Sequence, residues 1–112
     1  MSSCIFFQIA RGELSADVVQ EDGLAMAFKD ISPQAPTHIL VIPKEHIPSL
    51  AGLPSGEGGL LGHLLLMVRQ VAQKQELSDY RVIINEGAGA GQTVFHLHIH
   101  LGGGRALGWP PG

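Results

Sequence analysis

The chain has 112 residues, enough for one domain and too few for two with ordinary cores. Apolar residues make up 45% and charged residues 15%, so it can bury a core and fold. Seven basic against ten acidic residues give a net charge of −3, which excludes a general nucleic-acid or anionic-membrane binder, because no basic excess is there to displace counterions from phosphates. No apolar run approaches a membrane span, and the start Met-Ser-Ser-Cys-Ile-Phe-Phe has no basic n-region. The single cysteine, Cys4, excludes an internal disulfide and a multi-cysteine zinc site, and fits a reducing compartment. The expectation is a cytoplasmic protein.

Residues 4–10 form a short apolar cluster of about one helical turn. A short strand is expected over 17–20, a turn at Glu21-Asp22-Gly23, and a strand over 24–30, on which Met26, Phe28 and Asp30 share one face. Residues 31–36 hold two prolines and read as a loop, whereas 38–42 is a branched, apolar strand stopped by Pro43. After a long connection, Leu60, Leu61, Leu64, Leu65, Val68, Val71 and Ala72 recur at helical spacing and predict one long helix over about 57–76. A strand over 81–85, a glycine-rich loop over 86–92 and a strand over 93–101 follow. Residues 102–112 are too rich in glycine and proline for regular structure and read as an extended tail. The fold class is α+β: an antiparallel five-stranded sheet with one long helix and a short N-terminal helix, in one domain over 1–112.

The most informative segment is Phe95-His96-Leu97-His98-Ile99-His100-Leu101. Alternation puts His96, His98 and His100 on one face and Phe95, Leu97, Ile99 and Leu101 on the other. A half-exposed strand that merely happens to hold histidines is the plainest reading. A metal site is a second, but the first and third imidazoles of such a run start about 13 Å apart, too far to converge comfortably on zinc. The third reading uses the rings in series: one neutral imidazole attacks phosphorus while its neighbours hold phosphate oxygens or move protons. It needs a phosphate cradle, and the loop just upstream carries Gly87, Gly89 and Gly91 between the side-chain donors of Asn85 and Thr93. This loop is no P-loop, since it lacks Gly-Lys-Ser/Thr and no helix follows.

At these residues the chain resembles the histidine triad (HIT) superfamily, whose signature of alternating histidines and apolar residues reads here His96-Leu97-His98-Ile99-His100-Leu101-Gly102, with glycine at the last, normally apolar, place. The stretch from Phe28 through Asp30-Ile31-Ser32-Pro33 to His38, then Val41-Ile42-Pro43-Lys44 and Asn85-Glu86-Gly87, are similar to further blocks of that family. The ending Gly108-Trp109-Pro110-Pro111-Gly112 looks like its histidine triad nucleotide-binding (Hint) branch. The resemblance implies hydrolysis of adenosine or guanosine 5′-phosphoramidates without metal or cofactor. It makes His98 the nucleophile and gives His96, His100 and His38 orienting, charge-stabilising and proton-handling roles. Phosphate would be held by Asn85, Thr93, His98, His100 and the backbone around Gly91 and Gln92. Asp30 would take the ribose, and Ile5, Phe6, Ile9, Leu14, Phe28, Ile31 and Leu40 would wall the base; without the resemblance these apolar residues read as core and Asp30 as a turn carboxylate. The resemblance also implies a homodimer with one ten-stranded sheet, each tail lying near the partner's site so that Trp109 shapes leaving-group specificity. Rival readings are a nucleotide-binding interaction protein with incidental hydrolysis, and a dinucleoside polyphosphate hydrolase. Outside the motif, His46 reads as a loop residue, His63 as an ordinary helix residue and Cys4 as an unreactive member of the apolar cluster.

Overall fold

The computed structural model describes residues 4–112. In chain order it contains α1 (Ile5–Ala10), β1 (Val18–Glu21), β2 (Ala25–Lys29), β3 (Thr37–Pro43), α2 (Gly58–Lys74), β4 (Tyr80–Ile83) and β5 (Ile99–Gly103). The five strands form one antiparallel sheet in the order β1-β2-β3-β5-β4. The β1–β2 turn is held by Asp22, whose Oδ1 accepts from the N–H groups of Leu24 (2.8 Å) and Ala25 (2.9 Å). His63 of α2 reaches the other oxygen of Asp22 at 2.7 Å, tying the helix to this hairpin.

Helix α2 covers one face of the sheet. Leu64, Met67, Val68, Val71 and Ala72 pack there against Ala25, Ala27, Ile39, Val41, Leu97, Ile99 and Leu101. The two alanines of β2 let the helix approach closely. The apolar stripe is rotated from the expected one: Met67 is buried, while Leu65 is 43% exposed and Leu66 47%. On the opposite face Met26, Phe28, Leu40 and Ile42 form a second cluster, and α1 lays Phe6 and Ile9 across it. Both faces of β2 and β3 are therefore covered, which explains their unbroken apolar runs.

The expected strand over 93–101 differs most. Its ladder begins at Ile99 and runs on through Gly102 and Gly103, so the tail is regular for two residues longer than its composition predicts. Phe95 is 54% exposed and does not share the buried face of Leu97, Ile99 and Leu101. The cause is Pro43. The bonds Asp30 N–H to His38 O and Lys44 N–H to Leu24 O show that even-numbered residues of β3 bond towards β2. Odd-numbered residues therefore bond towards β5, and continuing their register sets Pro43 opposite Leu97. Proline has no N–H to give, so the ladder stops. The Leu97 N–H turns instead to the Ile47 carbonyl at 2.6 Å. At the other end, a Cβ on Gly103 would stand 3.1 Å from Leu77 and 3.2 Å from the Asp79 carbonyl, so a side chain there would have to push its neighbours back slightly.

Candidate active site

His98 lies on the sheet face opposite α2, 7% exposed, with the Phe6 ring edge-on at 5.0 Å. Its Nδ1 is 2.8 Å from the carbonyl oxygen of His96. A carbonyl only accepts, so Nδ1 carries a proton, and in the neutral ring Nε2 is a bare lone pair. The bond forms where the backbone bends at His96, ahead of the β5 ladder.

A second chain of bonds fixes His100. The backbone N–H of Gln34 donates to His38 Nδ1 at 3.0 Å, which puts the proton of neutral His38 on Nε2. That Nε2 lies 2.9 Å from His100 Nδ1 and 3.4 Å from Asp30 Oδ2. His38 thus donates to His100, whose own proton sits on Nε2. His100 Nε2 is buried and has no partner among the described residues. Burial first, then the His98 and His38 imidazoles, lower the pKa of His100 to about 4, with Asp30 opposing. The ring is neutral near pH 7 and presents one unsatisfied N–H, its centroid 5.0 Å from that of His98.

His96 is fully engaged. Its Nε2–H donates to the Pro43 carbonyl at 2.8 Å, the same carbonyl the broken ladder leaves over. Its Nδ1 faces His46 Nδ1 at 3.1 Å and Cys4 Sγ at 3.5 Å. Burial lowers its pKa against the opposing pull of the Pro43 carbonyl, and His46 and His98 add to the lowering. His46 is therefore more than a loop residue, and Cys4 more than a member of an apolar cluster: it also caps α1, accepting from the Phe7 N–H at 3.4 Å. A histidine three residues past a strand end carries no periodic signal, so the sequence conceals this contact. The Gln34 N–H is equally hidden.

Asp30 is the turn carboxylate of its plainest reading and also meets His38, a contact the sequence pattern does not predict. Its Oδ1 closes the turn by accepting from the Ser32 N–H at 2.8 Å, and its Oδ2 faces His38. Phe6, Ile9, Phe28 and Leu40 are buried together in the second cluster, with Phe6 and Phe28 edge-to-face at 5.5 Å. Ile5 (46% exposed), Leu14 (42%) and Ile31 (100%) stand at the surface and are not part of that cluster. Ile9, Leu14 and Met26 share the lining of a cleft of about 340 Å³.

The glycine loop forms as a single tight turn, Ala88–Ala90, between Gly87 (φ +88°) and Gly91 (φ +98°). Both positions require glycine. The expected backbone cradle is altered here, because Gly91 N–H donates to Ala88 O and Gln92 N–H to Gly87 O, each at 3.1 Å. The Gln92 side chain is buried as a strut: it accepts from Gly87 N–H and donates to the carbonyls of Pro48 and Val94. Thr93 is exposed, and the Asn85 amide lies beside Gly91. Asn85, Ala90, His38 and His100 line one open cavity of about 770 Å³, together with Gln34, Arg81, Arg105 and Trp109. Trp109 is 85% exposed there, so the ring does not pack into its own domain.

The three motif histidines do not converge on one point. Two other groups bring three possible ligand atoms within 4.8 Å of one another: Cys4, His46 and His96, and Asp30, His38 and His100. The second is closed by the His38–His100 hydrogen bond. The first fits zinc, whose tetrahedral shell separates nitrogen ligands by about 3.3 Å and nitrogen from sulfur by about 3.6 Å. The observed separations are 3.1 and 3.5 Å. His98 belongs to neither group.

The sequence model of the HIT domain matches residues 11–107. An uncharacterized HIT-like protein of Synechococcus elongatus is 55% identical over 109 residues, 96% of each chain. A 14 kDa zinc-binding protein of Zea mays is 48% identical over 115 residues, covering 99% of this chain and 89% of its own. The crystal structure of a HIT family hydrolase from Legionella pneumophila is 46% identical and superposes with a TM-score of 0.95 over 98% of this chain and 100% of the other. No helix among the described residues is long and apolar enough to cross a membrane. With its histidine strand, its sheet order and these relatives agreeing, the chain belongs to the HIT family.

Proposed function

We propose that the protein hydrolyses the P–N bond of purine nucleoside 5′-phosphoramidates through a nucleotidyl intermediate on His98. The observation that carries this reading is the His98 tautomer: the His96 carbonyl holds the Nδ1 proton and leaves Nε2 as an unprotonated nucleophile. His98 Nε2 would bond to phosphorus as the P–N bond breaks. Water would then cleave the N–P bond to His98. Over both steps the hydroxyl of water goes to phosphorus and its remaining hydrogen to the amine. The Nε2–H of His100, buried without a partner among the described residues, would donate to a phosphoryl oxygen and stabilise its charge. His38 and Gln34 hold it in that tautomer. Asn85 and the Thr93 hydroxyl supplement the phosphate contacts, and Asp30 Oδ2 is the ribose acceptor. The apolar cluster of Phe6, Ile9, Phe28 and Leu40 floors the base site, with Ile5, Leu14 and Ile31 at its rim. A zinc ion at Cys4, His46 and His96 would tie α1 and the β3–α2 connection to the histidine segment without touching phosphorus.

Strand β4 ends the sheet with Tyr80, Val82 and Ile83 between 37 and 40% exposed. An apolar open edge is a pairing surface. Two copies joined through β4 would make the ten-stranded sheet of a homodimer.

Rapid-quench mass spectrometry after mixing with adenosine 5′-phosphoramidate tests the central step. It should find an adenylyl group on the peptide carrying His98. His98→Ala should lower turnover by about 10³-fold or more while AMP still binds. Turnover that survives this substitution, or that proceeds with no adduct, would overturn the proposal.

A further inference from the structure

His100 can donate to a phosphoryl oxygen from Nε2 in only one of its neutral tautomers, and a line of hydrogen bonds that begins outside the site sets which one. The Gln34 N–H gives to His38 Nδ1 at 3.0 Å, His38 Nε2–H gives to His100 Nδ1 at 2.9 Å, and the His100 proton is left on Nε2. Such a line has two polarities. Without its first donor, neutral His38 can carry its proton on Nδ1 and accept from a His100 Nδ1–H. His100 Nε2 is then a lone pair, unable to donate.

The first donor sits on an exposed loop. Residues 31–36 form neither helix nor strand, and among the described residues no backbone–backbone hydrogen bond reaches them. Side chains hold this loop instead. Asp30 Oδ1 accepts from the Ser32 N–H at 2.8 Å, and the Gln34 amide gives to the Ser32 carbonyl at 3.1 Å. From outside the loop, Arg105 gives through Nε to the Gln34 carbonyl at 3.0 Å. Its Nη1 gives to the Ala106 carbonyl at 2.9 Å, which braces the guanidinium against its own turn. The planar fork of arginine fixes the angle between two such bonds. That turn lies against the loop: at Gly104, φ +91°, a Cβ would stand 3.0 Å from Pro36. No carboxylate among the described residues lies within ion-pair distance of Arg105 to draw it away.

We infer that Arg105 is a positioning residue for the His100 donor. By holding the Gln34 carbonyl it keeps the Gln34 N–H on His38 Nδ1, so that the whole line donates towards phosphate. This rests on the phosphoramidase reading and adds to it a residue outside the site on which the donor depends. Both polarities of the line are neutral, so the charge of Arg105 does not choose between them; the bond to Gln34 does.

Long-range proton–nitrogen correlation spectra of the histidine rings read the tautomers directly, in the ligand-free protein at about pH 8, where an ordinary imidazole is neutral. The unaltered protein should show His38 and His100 each protonated at Nε2 alone. The Arg105 side chain is exposed, so Arg105→Ala should fold, and both rings should then show a mixture of tautomers. Arg105→Lys, which keeps a donor without the planar fork, should lie between the two. Titration calorimetry carries the effect to the site. In Arg105→Ala the affinity for AMP should fall about three- to tenfold while that for adenosine holds. Adenosine meets the same loop through Asp30 but asks nothing of His100. Unchanged tautomers in Arg105→Ala would overturn the inference. So would equal losses for AMP and adenosine, which would show that Arg105 only steadies the loop. Both results leave the phosphoramidase reading standing, because that reading is judged by the His98 adduct in the unaltered protein. Tautomers that shift as expected in a protein forming no adduct would sink that reading and keep the hydrogen-bond line.

Discussion

His96 and His100 are the same residue type, two positions either side of His98, and the sequence pattern treats them alike. The fold does not. His96 is 0% exposed with both nitrogens engaged, one by the Pro43 carbonyl and the other by His46 and Cys4. His100 is held on one side only, by His38, and its other nitrogen is buried without a partner among the described residues. A buried polar atom left unsatisfied costs about 1–3 kcal/mol, so a fold retains one where a ligand completes it. The contrast separates an imidazole that builds the site from one that acts in it.

The sharpest way to break this contrast is His100→Ala. It should lower kcat on an adenosine phosphoramidate by about 10²-fold or more and shift the midpoint of urea unfolding less than His96→Ala does, because the fold loses only the His38 bond at Nδ1 and no satisfied bond at Nε2. His96→Ala should do the reverse in emphasis. It leaves the Pro43 carbonyl unanswered and opens a cavity, so it should cost about 2–4 kcal/mol of stability, read in the same unfolding experiment, with activity falling only as far as the site loosens. If His96→Ala proved as stable as the parent while His100→Ala unfolded, the division of labour would be inverted.

Acid sharpens the comparison more gently. Both rings are held neutral below their ordinary pKa, His100 down to about 4. Between that value and about 6.5 the unfolded chain binds more protons than the folded one. The stability they contribute is therefore complete above about pH 6.5 and is lost as pH falls towards 4, by roughly 1–3 kcal/mol in all. Unfolding free energies from pH 7 to 4 would show it. Replacing His100 by a residue that does not titrate should flatten part of the slope, and an unchanged slope would refute the assignment.

Much of the fold was legible because it depends on period and punctuation. Branched residues ending at Pro43 marked β3, the leucine spacing marked α2, and Glu21-Asp22-Gly23 marked the first hairpin. The stripe on α2 was misplaced by Leu65 and Met67 because a leucine-rich helix offers several apolar arcs and only the sheet selects one. At the site, alternation placed the three histidines on one face, yet the properties that distinguish them come from atoms with no sequence signature. These are the Gln34 N–H, the Pro43 carbonyl, and His46 brought in from 50 residues away. The loop glycines revealed the turn but not which N–H groups the turn would consume.

Pro43 joins these observations. A residue with a free N–H there would let the two central strands zip onward past position 97, straightening the backbone that now curls His96 back towards the ring of His98. The sheet would gain a rung, and the imidazole at 98 would lose the contact that chooses which of its nitrogens is bare. In this architecture a flaw in regularity and the reactivity of a side chain have one origin, so a redesign aimed only at a longer, tidier sheet would erase the feature it was meant to support.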